Sequence, residues 1–354
     1  METYIVSALK YRPQAFDEVV GQQAIVQTLE NAIEKNQLAQ ALLFCGPRGV
    51  GKTSCARILA KKINSQGKEN PNEDFAFNIF ELDAASNNSV DDIRSLNEQV
   101  RIPPQVGTHK IYIIDEVHML SLEAFNAFLK TLEEPPKHVI FILATTEKQK
   151  IIPTILSRCQ TYDFKRISVK DCKEHLQKIA QDQHIQFEEE ALDLIAQKAD
   201  GAMRDALSIY DRMVSFTDRN LTVKSVSENL NVLDHESFFS ITDLILQNDI
   251  PSILLAFDDL LKKGFDELQF IVGLGSHFRD LMMSKENKTL HLLEVSEGTQ
   301  KKYVQQTLKT PLSLLLSGID LVSKCELDYR NTKNKRLLIE LCLMQMASLH
   351  SEEK

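Results

Sequence analysis

Gly46-Pro47-Arg48-Gly49-Val50-Gly51-Lys52-Thr53 satisfies the spacing G-x-x-x-x-G-K-[ST]. Residue types in that pattern can hold a triphosphate. Gly46, Gly49 and Gly51 let the backbone curl so that its N–H groups point inward at phosphate oxygens. Lys52 can reach the β- and γ-phosphates, and the Thr53 hydroxyl can coordinate Mg²⁺. Arg48, Val50 and Ser54 belong to the same nucleotide-contacting set. A second group with chemical potential is the carboxylate pair Asp115-Glu116. Asp115 would hold Mg²⁺ directly or through water, and Glu116 would orient and polarise the water that attacks the γ-phosphate. Water as acceptor means a nucleoside triphosphatase rather than a P-loop kinase, for which no small-acceptor site is visible.

Both groups need particular elements beneath them. The apolar run Ala41–Cys45 predicts a buried strand leading into the loop, and Ser54–Ile63 has helical periodicity. A helix there aims its positive end at the phosphates. Lys110–Ile114 is a β-branched run ending in the carboxylate pair, which places the pair where parallel sheets bind ligands. His118 follows closely and is read as structural or surface-lying rather than as a base. Strands are expected near 41–45, 79–83, 111–115, 139–144 and 160–164, alternating with helices in an α/β domain over residues 1–164. From about 165 the β signal vanishes. Ser168 to Asp171 resembles a capping box, and Asp200-Gly201 and Thr217 to Asn220 look like turns. An all-α domain over 165–230 and a second over 231–354 are therefore expected. In the latter, Ile253, Leu254, Phe257, Leu260 and Leu261 form one face, and 312–322 is rich in leucine.

Composition narrows the function. The chain has 354 residues, 43% of them hydrophobic, enough for two or three packed domains. A net charge of −9, without tryptophan and without a long Lys/Arg block, argues against a general nucleic-acid coat protein. Any DNA contact must come from a local surface. The six cysteines lack C-x-x-C spacing and read as small buried hydrophobes. Neither a signal peptide nor a membrane-spanning run is apparent, so a cytoplasmic location with no membrane partner is expected.

Several further segments converge on one family. Lys10-Tyr11-Arg12-Pro13 with Phe16 and Val20-Gly21-Gln22, Glu81 to Ser86, Val90 to Arg94, Asp115 to Leu120, Leu129 to Pro136, Ala144-Thr145-Thr146, Ser157-Arg158-Cys159 and Gly201 to Asp205 occur in an order specific to it. The chain resembles the bacterial DNA polymerase III gamma/tau subunit, the AAA+ motor of the sliding-clamp loader. The resemblance is strong over about the first 215 residues and weaker beyond. It implies an AAA+ α/β domain, a helical lid and a helical collar that oligomerises. It places Tyr11, Arg12 and Val20 at the nucleotide, Thr146 at sensor 1, Arg204 at sensor 2 and Arg158 as an arginine finger. Asn88, Ser89 and Arg94 would face DNA. The implied cofactors are ATP and Mg²⁺. The implied partners are delta, delta prime and further gamma/tau copies, the sliding clamp and primer–template DNA.

Two departures stand out. Residues 64–78 occupy the place where the family usually carries a four-cysteine zinc module, yet contain no cysteine, so no zinc is expected. The sequence given ends at Lys354, near the expected end of the collar, without the longer tail that contacts polymerase and helicase. The function expected is an ATP-driven clamp-loader motor subunit. The rivals are another AAA+ DNA-remodelling ATPase, such as a branch-migration motor, and a scaffold that binds nucleotide only to assemble. The Glu-Glu-Pro-Pro and Ser-Arg-Cys segments disfavour the first, and Glu116 the second.

Overall fold

The computed structural model describes residues 5–65, 77–105, 107–230, 235–293, 295 and 297–349. Most of the expected zinc-free loop (66–76), the collar's first residues (231–234) and the last five residues lie outside the described ones.

By contacts the chain divides into two compact units, Met1–His175 with Ala199–Asp211, and Leu176–Lys198 with Arg212–Lys354. In the first, the elements run α1 (Ser7–Lys10), α2 (Gln23–Glu34), β1 (Ala41–Cys45), α3 (Lys52–Ser65), β2 (Ile79–Asp83), α4 (Val90–Val100) and β3 (Lys110–Asp115). Then come α5 (Leu122–Glu133), β4 (Val139–Thr145), α6 (Pro153–Leu156), β5 (Gln160–Asp163) and the start of α7 (Val169–Asp182). The strands form one parallel five-stranded sheet in the order β2-β3-β4-β1-β5. Its central strands are continuous apolar runs because both faces are covered. Leu42, Phe44, Ile111, Ile113, Ile140 and Ile142 share one core with residues of α2 and α3. Ala41, Leu43, Tyr112, Ile114, Phe141 and Leu143 share the other with residues of α4, α5 and α6. The period-two alternation thus sends each strand's side chains to both layers.

The strand order matters for chemistry. It seats β1 between β4 and β5, with Cys45 opposite Thr145 and Asp163. The segments leaving the carboxyl ends of β1, β3 and β4 are therefore neighbours, as parallel sheets require of their ligand-binding edge.

The second unit contains β6 (Gln186–Phe187), α8 (Glu189–Lys198), the end of α9 (Met203–Phe216), β7 (Asn220–Leu221) and α10 (Val223–Leu230). It continues with α11 (His235–Leu246), α12 (Ile250–Lys262), α13 (Glu267–Met283), α14 (Glu297–Thr307), α15 (Leu312–Tyr329) and α16 (Lys335–Leu349). The all-α expectation misses the short parallel pair β6–β7, in which Gln186 and Phe187 face Asn220 and Leu221. Two-residue strands are too short to leave a period-two signal. The turns expected at Asp200-Gly201 and near Asp218 are present, with positive φ at Asp200, Gly201, Asp218 and Arg219. Ser168 accepts from the Asp171 N–H at 3.1 Å and so opens α7 as expected. In α12, Ile253, Phe257 and Leu260 join a buried cluster with Phe270, Phe278 and Leu315. Among the described residues no helix is long and apolar enough to cross a membrane.

Candidate nucleotide site

Gly46, Gly49 and Gly51 all have positive φ, at 147°, 75° and 104°. A Cβ at Gly46 would stand 2.5 Å from the Phe164 carbonyl oxygen, so only glycine lets the loop leave β1 there. Lys52 opens α3 and is 6% exposed. Its ammonium donates to the Gly46 and Pro47 carbonyls at 2.8 and 2.7 Å. Burial pulls its pKa below the ordinary value, against the opposing attraction of Glu116 and Asp115. The Thr53 hydroxyl donates to Asp115 Oδ2 at 2.8 Å. A hydroxyl and a carboxylate so placed are hard oxygen donors that fit Mg²⁺, with phosphates and water supplying the other ligands. The cradle of N–H groups and Lys52 fits a triphosphate.

Glu116 occupies a left-handed backbone conformation, φ 47° and ψ 44°. For a residue other than glycine that costs about 1–3 kcal/mol, and such strain clusters at functional sites. Its N–H donates to Asp115 Oδ1 at 3.0 Å. Its Oε2 accepts from the Thr146 N–H at 3.2 Å and from the Thr146 hydroxyl at 2.9 Å. The structure therefore brings Lys52, Thr53, Asp115, Glu116 and Thr146 together. His118 belongs with them: its side chain is 6% exposed, which removes the surface alternative. Its Nδ1 lies 3.0 Å from the Thr145 hydroxyl.

Arg12 reaches the same helix, its Nε donating to Ser54 Oγ at 3.2 Å. Burial and then Arg57 push the Arg12 pKa down. Arg204 approaches from the start of α9, its N–H donating to the Gly49 carbonyl at 3.4 Å. Ala202 packs close there too, 3.1 Å from where a Gly49 Cβ would stand. Arg48 is exposed on the loop, Val50 is buried beneath it, and Tyr11 and Val20 are half-buried on the N-terminal segment. Gln22 is a participant that the sequence did not single out among the site residues. Only 4% exposed, its amide donates to the Lys165 carbonyl at 2.7 Å and accepts from the Lys165 N–H at 3.2 Å. That tie fixes the N-terminal segment beside the loop; no local sequence signal announces a partner so distant in the chain.

The remaining expected residues do not join this group. Arg158 follows α6, a shorter helix than the 151–157 stretch expected. Its guanidinium donates to the Thr154 carbonyl at 2.7 Å and to Glu133 at 2.6 Å. Ser89 caps α4, accepting from the Asp92 N–H at 3.3 Å, so its hydroxyl is already engaged. Asn88 is exposed just before it. Arg94, one turn further on, pairs with Asp91 at 3.0 Å with both side chains largely exposed.

Fold and site define an AAA+ P-loop ATPase module followed by a mostly helical region. A solved structure of a Thermotoga maritima RuvB mutant shares the fold, with a TM-score of 0.51 and 21% identity, covering 66% of this chain and 80% of that one. Residues 21–168 match the family described as "DNA polymerase III, delta subunit", and 171–219 that described as "DNA polymerase III clamp loader subunit, ATPase lid domain". The chain is 38% identical to the DNA polymerase III subunit tau of Bacillus subtilis, over 95% of this chain and 62% of that one. It is 31% identical to the DNA polymerase III subunit gamma of Buchnera aphidicola subsp. Schizaphis graminum, over 97% of this chain and 98% of that one. The chain belongs to the DNA polymerase III gamma/tau subunit family. It spans about three-fifths of the length of the tau subunits it matches.

Proposed function

We propose that this chain is an ATP-hydrolysing motor subunit of a DNA polymerase III sliding-clamp loader, working in the cytoplasm. ATP binding would organise a ring with delta, delta prime and further gamma/tau copies that opens the clamp. Primer–template DNA would trigger hydrolysis and release. The division of labour along the chain would be 1–164 for nucleotide binding, 165–230 as lid and 231–354 as collar. The observation that carries hydrolysis is Glu116: its backbone N–H bonds the Asp115 carboxylate that also accepts from Thr53, and its own carboxylate accepts from both donors of Thr146. A nucleotide-binding scaffold has no use for it. The likeness to RuvB concerns the fold and does not favour branch migration.

In this role Mg²⁺, held by Thr53 and Asp115, would supply neutralisation of phosphate charge. Lys52 offsets triphosphate charge at the loop, and Arg12, Arg204 and Tyr11 frame the nucleotide. Glu116 orients and polarises the attacking water, and Thr146 senses the γ-phosphate. Arg158, engaged with Thr154 and Glu133 rather than with its own loop, would act on ATP bound by the neighbouring subunit.

The deciding experiment measures ATP turnover of the chain co-purified with clamp-loader subunits, with and without clamp and primed DNA. Stimulation by both is expected. Glu116→Gln should keep ATP binding and clamp opening while turnover falls by about 10²-fold or more. Wild-type turnover in that variant removes Glu116 from the chemistry, and failure to associate with loader subunits removes the clamp-loader assignment.

A further inference from the structure

His118 is the one imidazole in contact with the Glu116 carboxylate among the described residues. Its Nδ1 lies 3.4 Å from Glu116 Oε2, and its Nε2 lies 3.3 Å from Glu147 Oε1. Nδ1 also faces the Thr145 hydroxyl at 3.0 Å. The Glu147 N–H donates to that same hydroxyl at 3.0 Å, and the Glu147 carboxylate is held by Lys150 at 2.8 Å. One buried ring thus touches Glu116 and the residues on either side of Thr146.

We propose, resting on Glu116 as the water-orienting group, that His118 is a positioning residue that fastens the Glu116 carboxylate to the Thr145–Glu147 segment. Glu116 and Thr146 then shift as one unit. The physical case is one of constraint. Glu116 has a flexible side chain on a strained backbone, and both Thr146 donors fall on a single oxygen, Oε2. Both donors come from one residue and hold that oxygen from one side only. The imidazole Nδ1 approaches the same oxygen at 3.4 Å, so Oε2 is held between Thr146 and the ring. The ring is itself braced by Glu147, which Lys150 holds at the surface, while the His118 side chain is only 6% exposed. This ring faces the reacting carboxylate and the sensor segment. It acts through Glu116 rather than on substrate.

The test uses His118→Ala, His118→Asn and His118→Gln in the full chain assembled with its loader subunits. An asparagine amide sits near the Nδ1 position, facing Thr145 and Glu116; a glutamine amide sits near Nε2, facing Glu147. His118→Ala is expected to lower DNA-stimulated kcat about tenfold with ATP affinity unchanged, the scale of one lost positioning hydrogen bond. Asparagine should restore most of the rate and glutamine little. In single-turnover measurements His118→Ala should add nothing to the defect of Glu116→Gln. Wild-type kcat in His118→Ala, equal rescue by both amides, or an additive loss in the Glu116→Gln background overturns the proposal. Should His118→Ala fail to fold, the contrast between asparagine and glutamine decides it. Normal turnover by Glu116→Gln alone has a different meaning: it removes the hydrolytic role of Glu116, and the positioning role of His118 falls with it.

Discussion

At the scale of single residues, the phosphate loop declares itself in sequence because its chemistry is local. Gly46 to Thr53 act through their own backbone and through the helix that follows immediately, so spacing alone fixes the geometry. Roles that depend on remote partners leave no such trace. Gln22 grips Lys165 across 143 positions, and His118 meets a hydroxyl 27 positions on. Arg94 shows a different limit. Its charge was legible, but its pairing with Asp91 emerges only on the helix surface. An exposed pair of this kind is worth no more than about 1 kcal/mol, so it gives way readily to a phosphate. Arg94→Ala should therefore weaken DNA-stimulated hydrolysis evenly across sequences and shallow the salt dependence of DNA binding by about one contact. Titration of binding against salt checks this; a sequence-selective loss or an unchanged slope contradicts it.

At the scale of elements, the five strands lie within a residue or so of their expected bounds, since each central strand is an unbroken apolar run between polar turns. The helices of the second unit were legible as helices, but their partners were not. The approach of α13 to α15 depends on Gly318, where a Cβ would come 2.4 Å from the Phe278 ring. Phe278 is fully buried and has no room to retreat. Gly318→Ala should gain about 1 kcal/mol in helix propensity and lose about 1–3 kcal/mol to overpacking. Packing wins, and the expected outcome is a net loss of stability in chemical denaturation. A variant as stable as the parent would mean that the α13–α15 contact relaxes without strain.

At the scale of the whole molecule, two predictions concern assembly and pH. If Arg158 serves a neighbour, Arg158→Ala should abolish most stimulated turnover while sparing ATP affinity at its own site. Trans-supplied arginine fingers are worth about 10³–10⁵ in rate in well-studied GTPases. A Lys52→Ala chain, unable to bind ATP, should still restore activity when mixed with Arg158→Ala chains. Loss of ATP binding by isolated Arg158→Ala chains would place the residue in cis instead. The pH prediction rests on His277, whose ring is held by the Tyr303 hydroxyl and by Gln306, each at 3.0 Å. Burial lowers its pKa from 6.5 to about 3. Below pH 6.5 the unfolded chain takes up a proton that the folded chain refuses, so stability falls as pH drops toward 3. The slope approaches about 1.4 kcal/mol per pH unit. His277→Gln should flatten it between pH 6 and about 4 in urea titrations, and an unchanged slope would assign the acid sensitivity elsewhere.

The strand that feeds the phosphate loop is, like β4 beside it, wholly enclosed. All five residues of β1 are buried, and it is laddered on both sides, to β4 and β5. Its amides should be among the last in their unit to exchange with deuterium, opening only when the sheet itself opens. The phosphate loop is thus rooted in a strand that is buried along its whole length and paired on both sides. ATP should accordingly raise protection across β1, β3 and β4 together, rather than quieting the loop alone.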